Sequence, residues 1–474
     1  MGRVNATVRA AALGTVACLV VLAAALVRGA QEGAGPGGED WFQFLGPNRN
    51  GVTEGAALAS EWPKEGPPVA WKVPCRVGYA GVMVKDGVLV LMEREARKKP
   101  APPAAGDPAA APADAPKLPD EVIRGIDART GEEIWRSSYP CERKISPYGT
   151  WGPCATPAGA KDKVVCLCIN GMLRCLELKT GRLVWEKDLA EGCQLTRKGA
   201  HCEYQSCTSP LAVGDLVILE LCSGEVGLAA FNLANGREVW RTPDFGNYGS
   251  STGFMMMGET PVVIAMGIGG NRRAFKGGDV MGFNALNGQL LWYGKASKNY
   301  YNTPPPIASE GLVVLEGGGG GGPTFAFRPP PSGEGEAPVL WKDPDHQVRF
   351  ANYLIYRGLV FGQGYNNHNG PKKLYCIDPK DGTVLWEREP NPAGDAHQMM
   401  IGSDGKVIQL HENGELSMFD ADARGGYKEL ARARVFPEAP RGRSKVWAFP
   451  ALVRGKLYAR SDTELVCVDL AAKP

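Results

Sequence analysis

After its N-terminus the sequence has no second long apolar run, no excess of charge of one sign, no Cys-x-x-Cys pair, and only five histidines. Each shortage excludes something. One apolar run cannot build a polytopic membrane protein. Lys and Arg number 53 against 51 Asp and Glu, so no global field draws the chain onto nucleic acid. Without Cys-x-x-Cys a zinc site is disfavoured, and without Cys-x-x-Cys-His a c-type haem is excluded. Glycine is abundant but has no three-residue period, which rules out collagen.

What the chain does have is turn chemistry. It carries 62 glycines and 37 prolines in 474 residues, about a fifth of the whole against a norm of roughly 12%. Many short apolar runs lie between them, the composition of turn-rich β-structure. Arg3 and Arg9 precede an apolar stretch from Ala10 to Val27, with Gly29 and Ala30 after it. Residues 1–30 are therefore expected to be a signal peptide, or an uncleaved anchor because Arg28 suits a cleavage site poorly. No other membrane span is expected. An exported, periplasmic chain permits disulfides, and twelve of the thirteen cysteines lie beyond the signal segment.

One pattern recurs. Ile126-Asp127-Ala128-Arg129-Thr130-Gly131 leads to Trp135, and Leu176-Glu177-Leu178-Lys179-Thr180-Gly181 to Trp185. Phe231-Asn232 leads through Gly236 to Trp240, Phe283-Asn284 through Gly288 to Trp292, and Ile377-Asp378 through Gly382 to Trp386. Glycine and tryptophan keep one spacing in every copy, and the copies in the first run stand ~50 residues apart, the period of a solenoid or propeller. Each copy reads as strand, turn and strand, with the glycine at a φ > 0 position. Two further apolar runs upstream make four antiparallel strands, a propeller blade. Trp341 marks a degenerate copy, and Met418-Phe419-Asp420 another that has lost its tryptophan. Leu465 to Leu470 is a third strand without a fourth, whereas Val69 to Val73, with Trp71, is a fourth without the first three. Pairing them closes a ring and removes free edges. The expected fold is all-β: an eight-bladed propeller over 67–470, after a leader at 31–66. An Ala/Pro-rich insertion at 98–119 has the composition of a disordered tip.

This signature resembles the tryptophan-docking repeat of the pyrroloquinoline-quinone (PQQ)-type β-propellers. That family includes quinoprotein alcohol dehydrogenases and the non-enzymatic propeller of the outer-membrane protein assembly machinery. Trp41-Phe42-Gln43-Phe44-Leu45-Gly46-Pro47 resembles a leader found before such propellers in exported proteins. The dehydrogenases carry a vicinal disulfide over the quinone, and no two cysteines are adjacent here. The resemblance therefore points to the non-enzymatic members, with no catalytic residue, cofactor or metal expected. A periplasmic dehydrogenase using PQQ with calcium is the alternative. The repeat tryptophans are read as blade-packing residues.

In a four-stranded meander the Thr-Gly turns lie on one face, and the fourth-to-first and second-to-third connections on the other. The second face is irregular and is expected to bind a protein or small ligand of the cell envelope. Its candidates are Tyr148, Trp151, His201, Glu203, Tyr204, Tyr248, Arg272, Arg273, Tyr300, His346, Arg349, His368, His397, His411 and Trp447. A monomer is expected. Finally, a two-residue turn at Asn170-Gly171 would set Cys166 opposite Cys175 on a non-hydrogen-bonded pair, close enough for a disulfide.

Overall fold

The computed structural model describes residues 40–55, 57–95, 120–140, 152–189, 207–221, 225–245, 250–267, 279–296, 304–317, 322–348, 351–365, 372–389, 398–436 and 446–472. The expected signal segment and the 98–119 insertion lie outside them. Eight sheets, each built on four antiparallel strands, are arranged as blades of one propeller; in blade 4 a short fifth strand, Gly335–Glu336, adds in parallel beside Trp292. Blade 1 spans 83–139, blade 2 158–188, blade 3 211–243, blade 4 253–294, blade 5 307–343, blade 6 354–388 and blade 7 398–434. Blade 8 takes three strands from 451–469 and its fourth from Val69–Pro74. That closing strand pairs antiparallel with Glu464–Asp469, Trp71 facing Cys467 and Pro74 facing Glu464. The ring closes as the two half-motifs at the chain ends imply.

First strands touch from blade 8 through blades 1 and 2 to 3, and from blade 4 through 5 and 6 to 7, so they line the central channel. The apolar core lies between blades rather than within them. Val90, Ile123 and Trp135 of blade 1 pack with Val164, Cys166 and Leu176 of blade 2 in one buried cluster. Further clusters join blades 2 and 3, 3 and 4, 4 and 5, 5 and 6, and 6 and 7.

The repeat motif builds these joints. Each indole but Trp292 donates its ring N–H to a carbonyl of the next blade's strand 3–4 turn. The bonds are Trp71 to Ala128 at 3.0 Å, Trp135 to Leu178 at 2.8 Å, Trp185 to Leu233 at 2.8 Å and Trp240 to Ala285 at 3.1 Å. Trp341 to Pro379 at 2.9 Å and Trp386 to Ala423 at 2.6 Å follow the same rule. The motif glycine is required twice over. At Gly181 φ is +69°, and an added Cβ would lie 2.4 Å from the Trp135 ring, so a larger residue is both strained and blocked. A β-bulge directly precedes the indole in each case: Gly125 faces Trp135 while Ile126 faces Glu133, leaving Ile134 unpaired. The bulge turns the indole out of its own sheet toward the neighbour.

The Cys166–Cys175 expectation fails. Cys168 N donates to Met172 O at 2.8 Å, and Gly171 has φ +89°. The hairpin therefore has a three-residue loop at Ile169, Asn170 and Gly171, with a left-handed glycine, instead of a two-residue turn. The register slips by one: Cys166 faces Arg174, and Val165 faces Cys175. With a period of two, a one-residue slip puts the sulfurs on opposite faces. Cys166 packs toward blade 1 and Cys175 toward blade 3, both as buried thiols.

Candidate functional site: the plugged channel and the irregular face

The leader is the unexpected part of the site. Its two ends lie among the strand 1–2 turns. Asp40 accepts from Asp86 N at 3.2 Å, and Leu58 N donates to Asp404 Oδ2 at 2.8 Å. Between them the chain climbs into the channel and returns. Val84 N of blade 1 donates to Trp41 O at 2.9 Å, and Gly159 N of blade 2 to Phe42 O at 2.6 Å. Ala212 N of blade 3 donates to Gln43 Oε1 at 3.0 Å. Phe44 meets Phe449, on the approach to blade 8, edge-on at 4.9 Å, and Phe44 and Leu45 join the cluster of blades 5 and 6. On the return, Gly402 N of blade 7 donates to Gly51 O at 2.9 Å and Thr53 N to Gly402 O at 3.0 Å. The leader thus touches blades 1, 2, 3, 5, 6, 7 and 8. It is an internal plug.

The plug turns within a few residues. Leu45 and Arg49 adopt φ of 58° and 52°, flanked by Gly46 and Gly51 at 80° and 73°. Non-glycine residues in this region are strained and persist only where the surroundings hold them. Arg49 supplies that hold at the tip. It is 1% exposed, and its guanidinium donates to Pro210 O at 2.8 Å and to Ser209 O at 3.2 Å, on the approach to blade 3. Burial pulls its pKa down to about 9, against the attraction of Glu220. The channel thus ends, beneath the irregular face, in a buried cation.

Around Arg49 the approaches to the first strands are clasped together. Gly81 N donates to Thr156 Oγ1 at 3.0 Å, Thr156 N to Ser209 Oγ at 3.0 Å, and Ser209 N to Ser251 Oγ at 2.9 Å. Blades 1 to 4 are joined in sequence. Across the ring, Asn352 accepts from Met400 N and donates to Met400 O, both at 3.0 Å, tying blade 6 to blade 7.

Three of the candidates read from the sequence lie among the described residues. His346 sits on the connection from blade 5 to blade 6, as expected, but is buried. Nδ1 lies 2.8 Å from Asp343 Oδ2 and Nε2 2.9 Å from Glu387 Oε2. Burial opposes its protonation, but the bonds to Asp343 and Glu387 win and raise its pKa. His411, at 1% exposure, lies 2.7 Å from Ser417 Oγ through Nε2. Both histidines are buried and brace the framework instead of being presented on the face. Trp447 is half-buried, stacks with Tyr79 at 5.6 Å and donates to Glu412 Oε2 at 3.1 Å. Tyr148, Trp151, His201, Glu203, Tyr204, Tyr248, Arg272, Arg273, Tyr300, Arg349, His368 and His397 lie outside the described residues.

One buried acid stands beneath the same face. Glu121, wholly enclosed between blades 1 and 2, accepts from Ile169 N at 3.0 Å. Burial drives its pKa up to about 7 despite that bond. Neither Arg49 nor Glu121 carries a sequence signal by itself. The aromatic run Trp41-Phe42-Gln43-Phe44 is the signal that could have located the plug, since such residues outside the repeat must bury somewhere.

A family model described as outer membrane protein assembly factor BamB matches residues 119–349. No curated protein gives a significant match to the sequence. Among solved structures, a quinohemoprotein alcohol dehydrogenase from Comamonas testosteroni is similar with a TM-score of 0.61 at 16% identity, over 92% of this chain and 81% of that one. BamB from Moraxella catarrhalis is similar at 0.53 and 13% identity, over 84% and 96%. A europium-containing methanol dehydrogenase is similar at 0.58 and 11% identity, over 88% of each chain. Enzymes and an assembly factor thus share this fold, and likeness at such identities carries the fold alone. The blade count, the repeat and the family match over 119–349 agree on the fold: the chain is an eight-bladed β-propeller whose repeats are similar to those of the PQQ-type propellers.

Proposed function

We propose that the protein is an exported binding or scaffold propeller with no catalysis of its own, which takes a protein or small ligand of the cell envelope on its irregular face. The observation that carries this reading is the plug. Trp41, Gln43, Phe44, Leu45 and Arg49 are buried in the channel, so the chain itself fills the axis around which a propeller seats a central ligand. Recognition is left to the loops above. PQQ with calcium would need a flat slot and a converging set of oxygen ligands. Among the described residues no three His, Cys, Asp or Glu side chains form a metal site, and the space at the axis is taken. These residues do not fit that group. The matched BamB description supports an envelope role of the assembly type, and the same relatives support export.

Two experiments test this. Purified protein given PQQ and calcium should show neither quinone absorbance nor alcohol-dependent dye reduction, and either signal would overturn the non-catalytic reading. Cross-linking in intact envelopes, comparing the native chain with a Trp151→Ala, Tyr204→Ala, Arg273→Ala variant, should lose the captured partner in the variant while its melting midpoint is unchanged. Equal capture by both would move the binding surface elsewhere.

A further inference from the structure

We propose that Cys154 and Cys207 close a disulfide that staples blade 2 to blade 3 at the irregular face. The two cysteines occupy equivalent places. Cys154 precedes the first strand of blade 2, Ala158–Ala160, and Cys207 precedes that of blade 3, Leu211–Val213. Two residues beyond each, Thr156 N donates to Ser209 Oγ at 3.0 Å, so the segments run side by side in matched register. Arg49 fixes the same spot from below through the Ser209 and Pro210 carbonyls. The two thiols are neighbours, both unbridged in this structure: Cys154 Sγ lies 3.5 Å from Gly152 O, and Cys207 is the group that acts on it most strongly. Closing that contact to a bond of about 2.05 Å is a side-chain adjustment between segments already held by the clasp.

The balance is simple. Each thiol gives up its proton, an Sγ–Sγ bond forms, and two electrons pass to an oxidant of the disulfide class, which leaves as two thiols. Cys154 is half-buried, and contact with Cys207 together with burial holds its proton tightly. The thiolate is the attacking species, so the bond forms as the chain folds in an oxidising compartment and only slowly once blades 2 and 3 have docked. Its role follows from its place. The segments leading into the two cysteines carry Tyr148 and Trp151 on one side and His201 and Tyr204 on the other, and the staple would fix where both groups leave the propeller.

The inference draws on the export reading, so the test is made apart from it. Full-length purified protein is unfolded, reduced, and refolded in a buffer of oxidised and reduced glutathione. Free thiols are then alkylated and peptides mapped without reduction. The expected result is a peptide of Cys154 joined to one of Cys207. Recovery of both as alkylated thiols, or of either joined to another cysteine, overturns the proposal, whatever compartment the protein occupies. As a second measure, reduction should lower the melting midpoint of the native chain by a few degrees more than that of the Cys154→Ser, Cys207→Ser variant. Equal shifts would overturn the staple even if the variant folds less well.

Discussion

Met418 faces Ala431 across blade 7, at the position where every other blade sets an indole against a small residue. Elsewhere the pairs are Gly125–Trp135, Cys175–Trp185, Ala230–Trp240, Gly282–Trp292, Ala326–Trp341, Cys376–Trp386 and Cys467–Trp71. Where the large residue is lost, its partner has grown. The leader completes the repair. Leu470 O of blade 8, which follows Asp469 as the indole-accepting carbonyls follow their own Asp, Asn or Glu, accepts instead from Ala59 N at 2.9 Å, and Trp62 packs into the adjoining cluster beside Leu430 and Ala431.

This exchange of volume predicts coupling. Met418→Ala empties a fully buried site and should cost about 2–4 kcal/mol. Ala431→Trp alone overfills the joint and should cost about 1–3 kcal/mol. Together they should cost at least ~1 kcal/mol less than their sum, because the indole occupies the space the thioether leaves. Urea unfolding of the four proteins measures the cycle, and strict additivity would mean that the two residues do not share a site.

Trp292 is the exception among the repeat indoles. It is fully buried, yet its ring N–H has no acceptor, because blade 5 replaces the usual turn with the Pro-rich stretch around Pro329 to Pro331. Trp135 is buried as well but donates to Leu178 O at 2.8 Å. Replacing either by Phe removes similar packing, but only Trp135→Phe leaves a carbonyl without its donor. Trp135→Phe should therefore be the more costly by about 1 kcal/mol. Equal losses in denaturant melts would show that the indole bonds contribute nothing net.

The propeller was legible because its signals are local and repeated. Gly131, Gly181, Gly236, Gly288 and Gly382 each fix a left-handed turn, and the tryptophan after them each time has one place to go. Residues whose roles depend on distant contacts were not. Arg49 is an ordinary arginine until blade 3 offers it two carbonyls, and His346 looks like a surface loop residue until Asp343 and Glu387 enclose it. The Cys166 error has the same origin in miniature. Asn170-Gly171 marks a turn correctly, but does not say whether two residues or three form the loop, and that one residue decides which face a sulfur takes.

His346 gives the joint between blades 5 and 6 a pH dependence. Its folded pKa lies above the ordinary 6.5, while those of Asp343 and Glu387 are depressed. A raised histidine pKa contributes stability that is complete below about pH 6.5 and is lost as pH rises through the folded value. The depressed carboxylates contribute stability present above about pH 4.5 and lost as pH falls through their folded values. The clamp should be strongest between those limits. Lys373, paired with Glu387, and Tyr375, edge-on to the imidazole at 4.8 Å, complete its surroundings. His346→Gln should flatten the decline in melting midpoint above pH 6.5 relative to the native chain. Parallel profiles would place the histidine's titration outside folding.

Arg49 tests the plug itself. Its guanidinium is buried, stays charged at neutral pH, and meets the Ser209 and Pro210 carbonyls with Glu220 nearby. Arg49→Ala would leave two carbonyls without donors, open a cavity at the tip and strip Glu220 of its compensating charge. Removing one member of such a buried set costs about 3–5 kcal/mol. Arg49→Lys keeps the charge but replaces a planar fork with a single point donor, so its loss should be smaller but measurable. Because Arg49 adopts φ 52°, Arg49→Gly should lose the bonds yet relieve the backbone, and so cost less than Arg49→Ala. The expected order of denaturation midpoints is native, Lys, Gly, Ala. Brief protease treatment gives an independent reading, with cleavage inside 40–59 rising in the same order. If Arg49→Ala kept both the native midpoint and native resistance in the leader, the plug would be held without its tip, and Arg49 would be a passenger in the channel.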